Sequence, residues 1–336
     1  MEMRRVQITG GSSYSIILPK DWAKSVNLKK NDQLALIRQS DGNLLISPKM
    51  IEKQIKSEKK FFININTDQK YLLRQLIGAY IIGYNLINLI SKERMPSLVR
   101  SSVRTFIQIT IGQEIFEETD TNIVIKNLLD PTEMPFDKTN KRMYIIVKGM
   151  HEDIMIAIQK NDIKLVKDVL NRDNEVDRLH WLVARQYNII LQNVSFTEKM
   201  KVTLELATTS YLISRIIERI GDHVIRIAKN LINIMDRKLE KTLIENLNSA
   251  NKLALDIFNI SINSLLRRDI KLANATIESL DKLEIKCKQI NKIALNFEGE
   301  FVISLGYIVE SIRRIGEYSS DISENVINYL IREEKI

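Results

Sequence analysis

The pattern of apolar and polar positions changes character near residue 136. All five prolines (Pro19, Pro48, Pro96, Pro131, Pro135) precede that point, and the 201 residues after it contain none. Proline costs about 3 kcal/mol inside a helix, so this stretch, with four glycines after Gly149, reads as long helices. Six are predicted, at about 141–160, 163–192, 197–235, 239–267, 270–296 and 301–333. Asn161-Asp162 and Arg268-Asp269 mark two bends, and Asn296 to Gly299 separates the last two helices. In the third helix, Ile213, Ile216, Ile217, Ile220, Val224, Ile227 and Leu231 share one face, spaced for packing. Arg215, Glu218, Arg219, Asp222, Arg226 and Lys229 form a charged stripe beside it.

Ahead of the helices the apolar runs are short. Arg4–Ile8 and Tyr14–Leu18 read as strands around a Gly10-Gly11 turn, and Pro19 opens a helix over 19–26. Leu34–Ile37 and Asn43–Ile46 form a hairpin around Asp41-Gly42. Four strands in fifty residues bury little apolar surface, so this head is expected to complete its core with a second chain. In the middle, Phe61–Ile65, Glu114–Glu118 and Asn122–Leu128 read as strands, and Asp68–Ile90 and Ser97–Ile109 as helices. The apolar run Leu76–Ile90 contains Asn85 and Asn88 and falls short of the roughly 20 residues a membrane span needs, so no span is expected. The expected organisation is multidomain α+β: a β domain at 1–50, a mixed α/β segment at 51–138, and a six-helix domain at 139–336.

Charge sharpens this division. The chain carries 50 Lys+Arg against 42 Asp+Glu, a net +8. Residues 1–60 hold twelve Lys/Arg and six Asp/Glu, so +6 of it sits in the first sixth. A concentrated basic end suits a polyanion. The single cysteine, Cys287, excludes an intrachain disulfide framework and a cysteine zinc cluster. It fits a reducing compartment, and with no signal peptide visible after Met1 a cytoplasmic location is expected.

The helical part repeats itself. Arg219-Ile220-Gly221-Asp222-His223 recurs as Arg314-Ile315-Gly316-Glu317-Tyr318, 95 positions later, and Asp177-Arg178-Leu179-His180 matches Asp281-Lys282-Leu283-Glu284. Two tandem three-helix units follow, at about 141–235 and 239–333. A mid-helix glycine costs about 1 kcal/mol relative to alanine, so Gly221 and Gly316 each need a close neighbour to justify them. Glu218 and Asp222 lie four apart, and their carboxylates project from one face a turn apart. With Asp177 and His180 from a facing helix they can hold a hard cation such as Mg, Mn or Fe. The alternative is a solvated face on which Arg215 and Arg219 pair with the two acids. His223 reads as a satisfied interface histidine and His151 as a surface residue.

The strings RIIERIGDHVIRIAKN and SIRRIGEYSSDISENV resemble the paired signature of the PhoU family, over about 141–333. The resemblance implies an array of two three-helix bundles in a negative regulator of phosphate uptake. In that family acid motifs in each half hold metal ions, often iron or other transition metals. Carried over by match, Glu218 and Asp222 are first-half ligands. In the second half Arg313 stands where an acid is expected, with Glu317 and Asp321 preserving a pair shifted by a turn. Asp177 and His180, with Asp281 and Glu284 as their counterparts, complete the candidate ligand set. The expected cofactor is a divalent or transition metal ion (Fe, Mn, Mg, Zn or Ni).

Residues 5–12, the string Ser15-Ile16-Ile17-Leu18-Pro19-Lys20-Asp21-Trp22, and Leu28 to Asp32 resemble the AbrB/SpoVT family of swapped-hairpin DNA-binding dimers. Asn31 stands where that family has glycine, and asparagine also takes a left-handed turn. The resemblance implies a homodimer whose Arg4, Arg5, Ser12, Ser13 and Lys20 face DNA. Both modules in one chain are similar to archaeal phosphate uptake regulators.

Three functions follow: a DNA-binding regulator, an adaptor docking on a phosphate transporter or a sensor kinase, and an enzyme. Di-metal helical bundles use Glu-x-x-His motifs, and this chain has none; it also lacks a phosphate-cradling glycine loop and a nucleophile signature. No catalytic residue is expected.

Overall fold

The computed structural model describes residues 2–38, 42–48, 58–193, 196–236 and 239–333. The chain forms two compact units that divide between residues 55 and 56.

In the first unit, β1 (Gln7–Thr9) and β2 (Ser13–Ser15) form an antiparallel hairpin with Thr9 opposite Ser13. Gly10 and Gly11 turn it at φ 64° and 87°, a region open to glycine without a Cβ penalty. The strands are shorter than Arg4–Ile8 and Tyr14–Leu18, because Ile16 to Leu18 find no partner strand among the described residues. The helix α1 (Lys20–Ser25) follows Pro19. Asn31 adopts φ 70°, and the Lys29 amide donates to Asp32 Oδ2 at 2.7 Å across that turn. The second hairpin pairs β3 (Ala35–Arg38) with β4 (Leu44–Ser47); Asp41 of its expected turn lies outside the described residues. The two hairpins are separate two-stranded sheets. Among the described residues of this unit Ile37 alone is buried, while Ile8 is 67% and Leu36 63% exposed. A unit with one buried side chain lacks the core that stable hairpins need.

The second unit begins with a four-stranded sheet ordered β5-β6-β8-β7. Its strands are β5 (Glu58–Ile63), β6 (Leu86–Ser91), β7 (Gln113–Glu118) and β8 (Asn122–Asn127), with α2 (Gln69–Ile82) and α3 (Ser97–Ile109) between them. β5 and β6 run parallel; β8 is antiparallel to both of its neighbours. Leu76, Ile87, Leu89, Phe106, Ile123 and Ile125 are fully buried between sheet and helices. The expected helix over Asp68–Ile90 is thus a helix followed by a strand. Gly83, at φ 107°, ends α2 with a left-handed cap, and from Leu86 burial alternates with a period of two. The apolar run hid this boundary because both elements are apolar.

The remaining helices are α4 (Phe136–Lys160), α5 (Ile163–Leu170), α6 (Asp173–Gln192), α7 (Phe196–Met200), α8 (Leu204–Ile234), α9 (Lys241–Arg267), α10 (Ile270–Glu278), α11 (Leu280–Ala294) and α12 (Glu300–Glu333). Three of the six expected helices are broken. The 163–192 helix bends at Asn171-Arg172 and the 270–296 helix at Ser279, so each unit is a long helix, a broken helix and a long helix. The 197–235 helix is interrupted by Lys201 at φ 52°. Asn161 and Arg268 are left-handed helix ends at the two expected bends, and Asp162 and Asp269 cap the helices that follow. One continuous core runs through both three-helix repeats, and every residue of the expected apolar face of α8 lies within it or packs against it.

Candidate functional site

The break before α6 sets its first turn beside α8. Asp173 and Asp177, one turn apart on α6, face Glu218 and Asp222, one turn apart on α8. Burial, then the nearby Asp173 and Asp222 charges, push the Asp177 carboxyl up to about 7. Burial, then Asp222 and Asp177, push Glu218 up to about 7. Asp222 is raised by burial and by Asp173, and Asp173 by burial alone. Arg215 and Arg219 soften the repulsion from a distance. No salt bridge among the described residues reaches any of the four acids. The arginine-paired face, open as an alternative from spacing, is therefore not formed here. Asp173 was not singled out from sequence, although it lies four residues before Asp177 on the same ridge.

His180 stands apart from the acids. Its Nδ1 lies 3.0 Å from Ser214 Oγ and its ring stacks on Tyr211, with burial lowering its pKa to about 4. His223 is half-buried against Tyr318, and its Nδ1 has no hydrogen-bond partner; the expected satisfied histidine is not what forms. His151 is no surface residue. It is fully buried, with Nε2 3.0 Å from Asn251 Oδ1, because α9 covers that face of α4. An open cleft of about 550 Å³ adjoins the acids, lined by Asp173, Asp222, His223, Arg226, Lys229 and Tyr307 among others.

In the second unit the matching positions are occupied differently. Glu317 is ion-paired with Arg313 and Arg314, and both arginines also hold Glu310. Glu284 is exposed and paired with Lys288 at 2.8 Å, and Asp281 is exposed. Asp321 is raised by burial, Glu324 and Glu317.

In the first repeat the four carboxylates offer oxygens of the kind a hard cation takes; they are desolvated and repel one another, and Lys229, Arg226, Arg219 and Arg215 lie near enough to offset part of that repulsion but form no salt bridge with them. Among the described residues no three His, Cys, Asp or Glu groups converge as a ready ligand shell. In the second repeat Glu317 and Glu284 are already held by arginine and lysine, which leaves Asp321 and the exposed Asp281 without those two as co-ligands.

Gly316 has the close neighbour its cost demands, while Gly221 packs at ordinary contact distance. A Cβ on Gly221 would lie 3.4 Å from Val147 and 3.7 Å from Val176, and one on Gly316 would lie 2.3 Å from Leu283 and 3.3 Å from Leu280. Val176 and Leu280 each precede the first residue of the matched strings on the second helices, so both glycines admit the same element of their own unit.

Of the DNA-facing candidates, Arg5, Ser12, Ser13 and Lys20 are exposed, and Arg4 is paired with Glu2. Ser13 opens β2, and Ser12 sits in the turn before it.

Two stacked long–broken–long helical units define a duplicated three-helix-bundle protein, preceded by a sheet domain and a pair of β-hairpins. Residues 141–231 match the family model of the PhoU domain, and residues 7–54 match that of "Antidote-toxin recognition MazE, bacterial antitoxin". The helical body thus resembles the PhoU family, and the N-terminal head an AbrB-like domain. It is 20% identical over 193 residues to the phosphate-specific transport system accessory protein PhoU homolog 1 of Thermotoga maritima, covering 55% of this chain and 82% of that one. It is 22% identical over 209 residues to the PhoU homolog of Clostridium acetobutylicum, covering 58% and 90%. Among solved structures, PhoU from Pseudomonas aeruginosa superposes with a TM-score of 0.52 at 18% identity, over 59% of this chain and 96% of that one. The phosphate transport system regulatory protein PhoU from Streptococcus pneumoniae gives 0.50 at 18%, over 60% and 95%. These likenesses establish the fold. No helix among the described residues is long and apolar enough to cross a membrane.

Proposed function

We propose that this chain is a non-catalytic regulator of phosphate uptake that binds DNA through a paired N-terminal head and a divalent or transition metal ion through its helical body. The observation that carries the head's part is its missing core. Ile8, Ile17, Leu36 and Leu44, exposed in the single chain, become buried when a second copy supplies the facing hairpins. Pairing sets two copies of Arg5, Ser12, Ser13 and Lys20 symmetrically, as a roughly palindromic duplex site requires. Phosphate contacts from Arg5 and Lys20 position the head, and the serines reach backbone or base edges.

In the helical body Asp173, Asp177, Glu218 and Asp222 hold the cation, which would neutralise their mutual repulsion. The link to phosphate rests on the relatives, which are named for phosphate-specific transport. Cells lacking this chain are expected to take up phosphate when it is already abundant. Uptake that stays repressed in such cells argues against the reading.

The second reading is an adaptor that docks on a phosphate transporter or a sensor kinase while the head only dimerises. It is favoured by the description of the matching head model, which concerns recognition of a toxin protein rather than DNA. Capture of transporter components by a chain that shifts no duplex at low salt selects it.

A further inference from the structure

The sheet of the second unit is covered by its own helices on one face. Ile63, Ile87, Leu89, Ile123 and Ile125 point into the core that α2 and α3 close. Those helices are in turn fastened to the bundle. Trp181 of α6 packs on the same core, and Arg185, 1% exposed, donates from Nη1 to the carbonyls of Tyr80 at 2.6 Å and Tyr84 at 3.0 Å. The layers of this unit therefore run bundle, helices, sheet, and the sheet's far face is the outermost.

Side chains alternate across a strand, so the register fixes what that outer face carries. β5 gives it Lys60 and Phe62, β6 Leu86 and Ile90, and β8 Val124 and Lys126. On β7 the bulge between Ile115 and Glu117 turns Phe116 to the same side, where Lys126 Nζ lies 4.9 Å from its ring centroid. A sheet face that meets only water is ordinarily polar. Here Leu86, Ile90 and Val124 lie on the two central strands, and Phe62 is 80% and Phe116 67% exposed at the edges. Among the described residues, none of these five joins a buried core of the chain. Asn88, between Leu86 and Ile90, donates from Nδ2 to Glu58 at 3.3 Å, while its Oδ1 is shut off from water without a partner among the described residues. A buried acceptor left unpaired is costly, and a layer docked on this face can supply the donor.

The charges of the face select its occupant. Glu58, Glu114 and Glu117 outnumber Lys60 and Lys126, so a polyanion is repelled. The β7 edge carries Glu114 and Glu117, whereas on the β5 edge Lys60 balances Glu58 at 3.7 Å. A two-fold axis along the strands lays β5 of one copy over β7 of the other, so Lys60 meets the acidic edge and the apolar centres meet each other. An axis across the strands would stack the acidic edge on itself. The head's family match ends at residue 54 and β5 opens at Glu58, a reach of about 14 Å at most. When two heads pair, two sheets are held close together, and one two-fold axis serves both contacts.

We propose that the outer face of the sheet is a second homodimer contact, in which Phe62, Leu86, Ile90, Val124 and Phe116 of two copies pack face to face. It rests on the head pairing given above, because the tether makes a small contact effective. The contact joins the second units directly, so the two helical bodies turn as one piece.

Sedimentation equilibrium of the full chain reads the dimer dissociation constant. Phe62→Lys, at a position already solvent-facing in the single chain, is expected to raise it about tenfold or more, and Leu98→Lys on α3, 59% exposed, to leave it unchanged. Ile90→Cys in a Cys287→Ser background is expected to react with a maleimide about tenfold more slowly in the dimer than after Ile8→Lys with Leu36→Lys breaks the head. If Ile90→Cys does not fold, Asn122→Cys on the same face takes its place. A constant unchanged by Phe62→Lys overturns the sheet contact, and a monomeric head variant beside it leaves head pairing standing alone. A monomeric parent overturns both. Labelling equally fast in dimer and monomer leaves the face open, and labelling equally slow in both assigns its cover to the same chain; either overturns the contact. Loss of transporter capture by Phe62→Lys at an unchanged constant assigns the face to another protein and overturns it as well.

Discussion

The imidazole of His223 and the ring of Tyr318 lie 5.5 Å apart and occupy equivalent positions of the two helical repeats. Asn233 on α8 reaches Ser304 on α12, and Arg219 lies over Tyr318, so the two helices run antiparallel past one another. Equivalent residues that touch across an antiparallel pair lie on a local two-fold. The duplicated signature is therefore the seam joining the units, and each glycine beside it turns away to admit the second helix of its own unit.

That arrangement separates two substitutions of identical chemistry. Gly221→Ala gains about 1 kcal/mol of helix propensity, and its new methyl meets Val147 at ordinary contact distance. Gly316→Ala drives a methyl into Leu283, which is 1% exposed and has nowhere to swing. Overpacking of this kind costs about 1–3 kcal/mol. Thermal unfolding is expected to show Gly221→Ala at or above the parent and Gly316→Ala several degrees below it. The reverse order contradicts the seam.

His151 gives a pH dependence of definite sign. Burial lowers its pKa to about 4 from an ordinary 6.5, so the unfolded chain binds the extra proton first. Its contribution is complete above about pH 6.5 and is lost progressively as pH falls towards 4, by about 3 kcal/mol in all. The unfolding free energy of the parent should drop by about that amount more than that of His151→Gln between pH 7.5 and 4. Parallel curves for the two proteins would place a proton on His151 in the folded state.

The two acid motifs behave differently. Glu218→Ala with Asp222→Ala should lower bound metal, read by elemental analysis of protein purified without chelator, and leave far-UV circular dichroism unchanged. Glu317→Ala should leave metal content unaltered, because Arg313 and Arg314 already hold that carboxylate. Equal losses from both motifs would mean that the arginine clamps open to admit metal.

Pairing of the head is tested by mass. Leu36→Lys with Ile8→Lys changes side chains that are solvent-facing in the single chain, yet the account buries them between copies. Light scattering should fall from twice 39.0 kDa or a multiple of it towards half the parent value. An unchanged mass would assign assembly to another surface.

Much of this architecture was legible because proline and glycine punctuate it. The absence of proline after Pro135 announced the helices, and Asn161-Asp162 and Arg268-Asp269 announced their bends. The breaks at Asn171-Arg172 and Ser279 were not legible, since all three residues adopt helical backbone angles and leave the apolar pattern intact. β6 was hidden in a largely apolar run in which Gly83 marks the boundary. In the site, the Glu218–Asp222 pair could be read from spacing, and Asp173 could have been by extending the Asp177 ridge one turn back. Arg185 had no such signal. Its acceptors include backbone carbonyls 105 and 101 positions away, which no local pattern encodes.

The most direct measurement is a titration of the full chain onto the duplex upstream of its own gene at several salt concentrations, beside Arg5→Ala. The account predicts that log affinity falls linearly with log salt. Loss of one phosphate contact per protomer should flatten the slope by about two in Arg5→Ala. Affinity indifferent to salt, or no complex with any duplex at low salt, would contradict it.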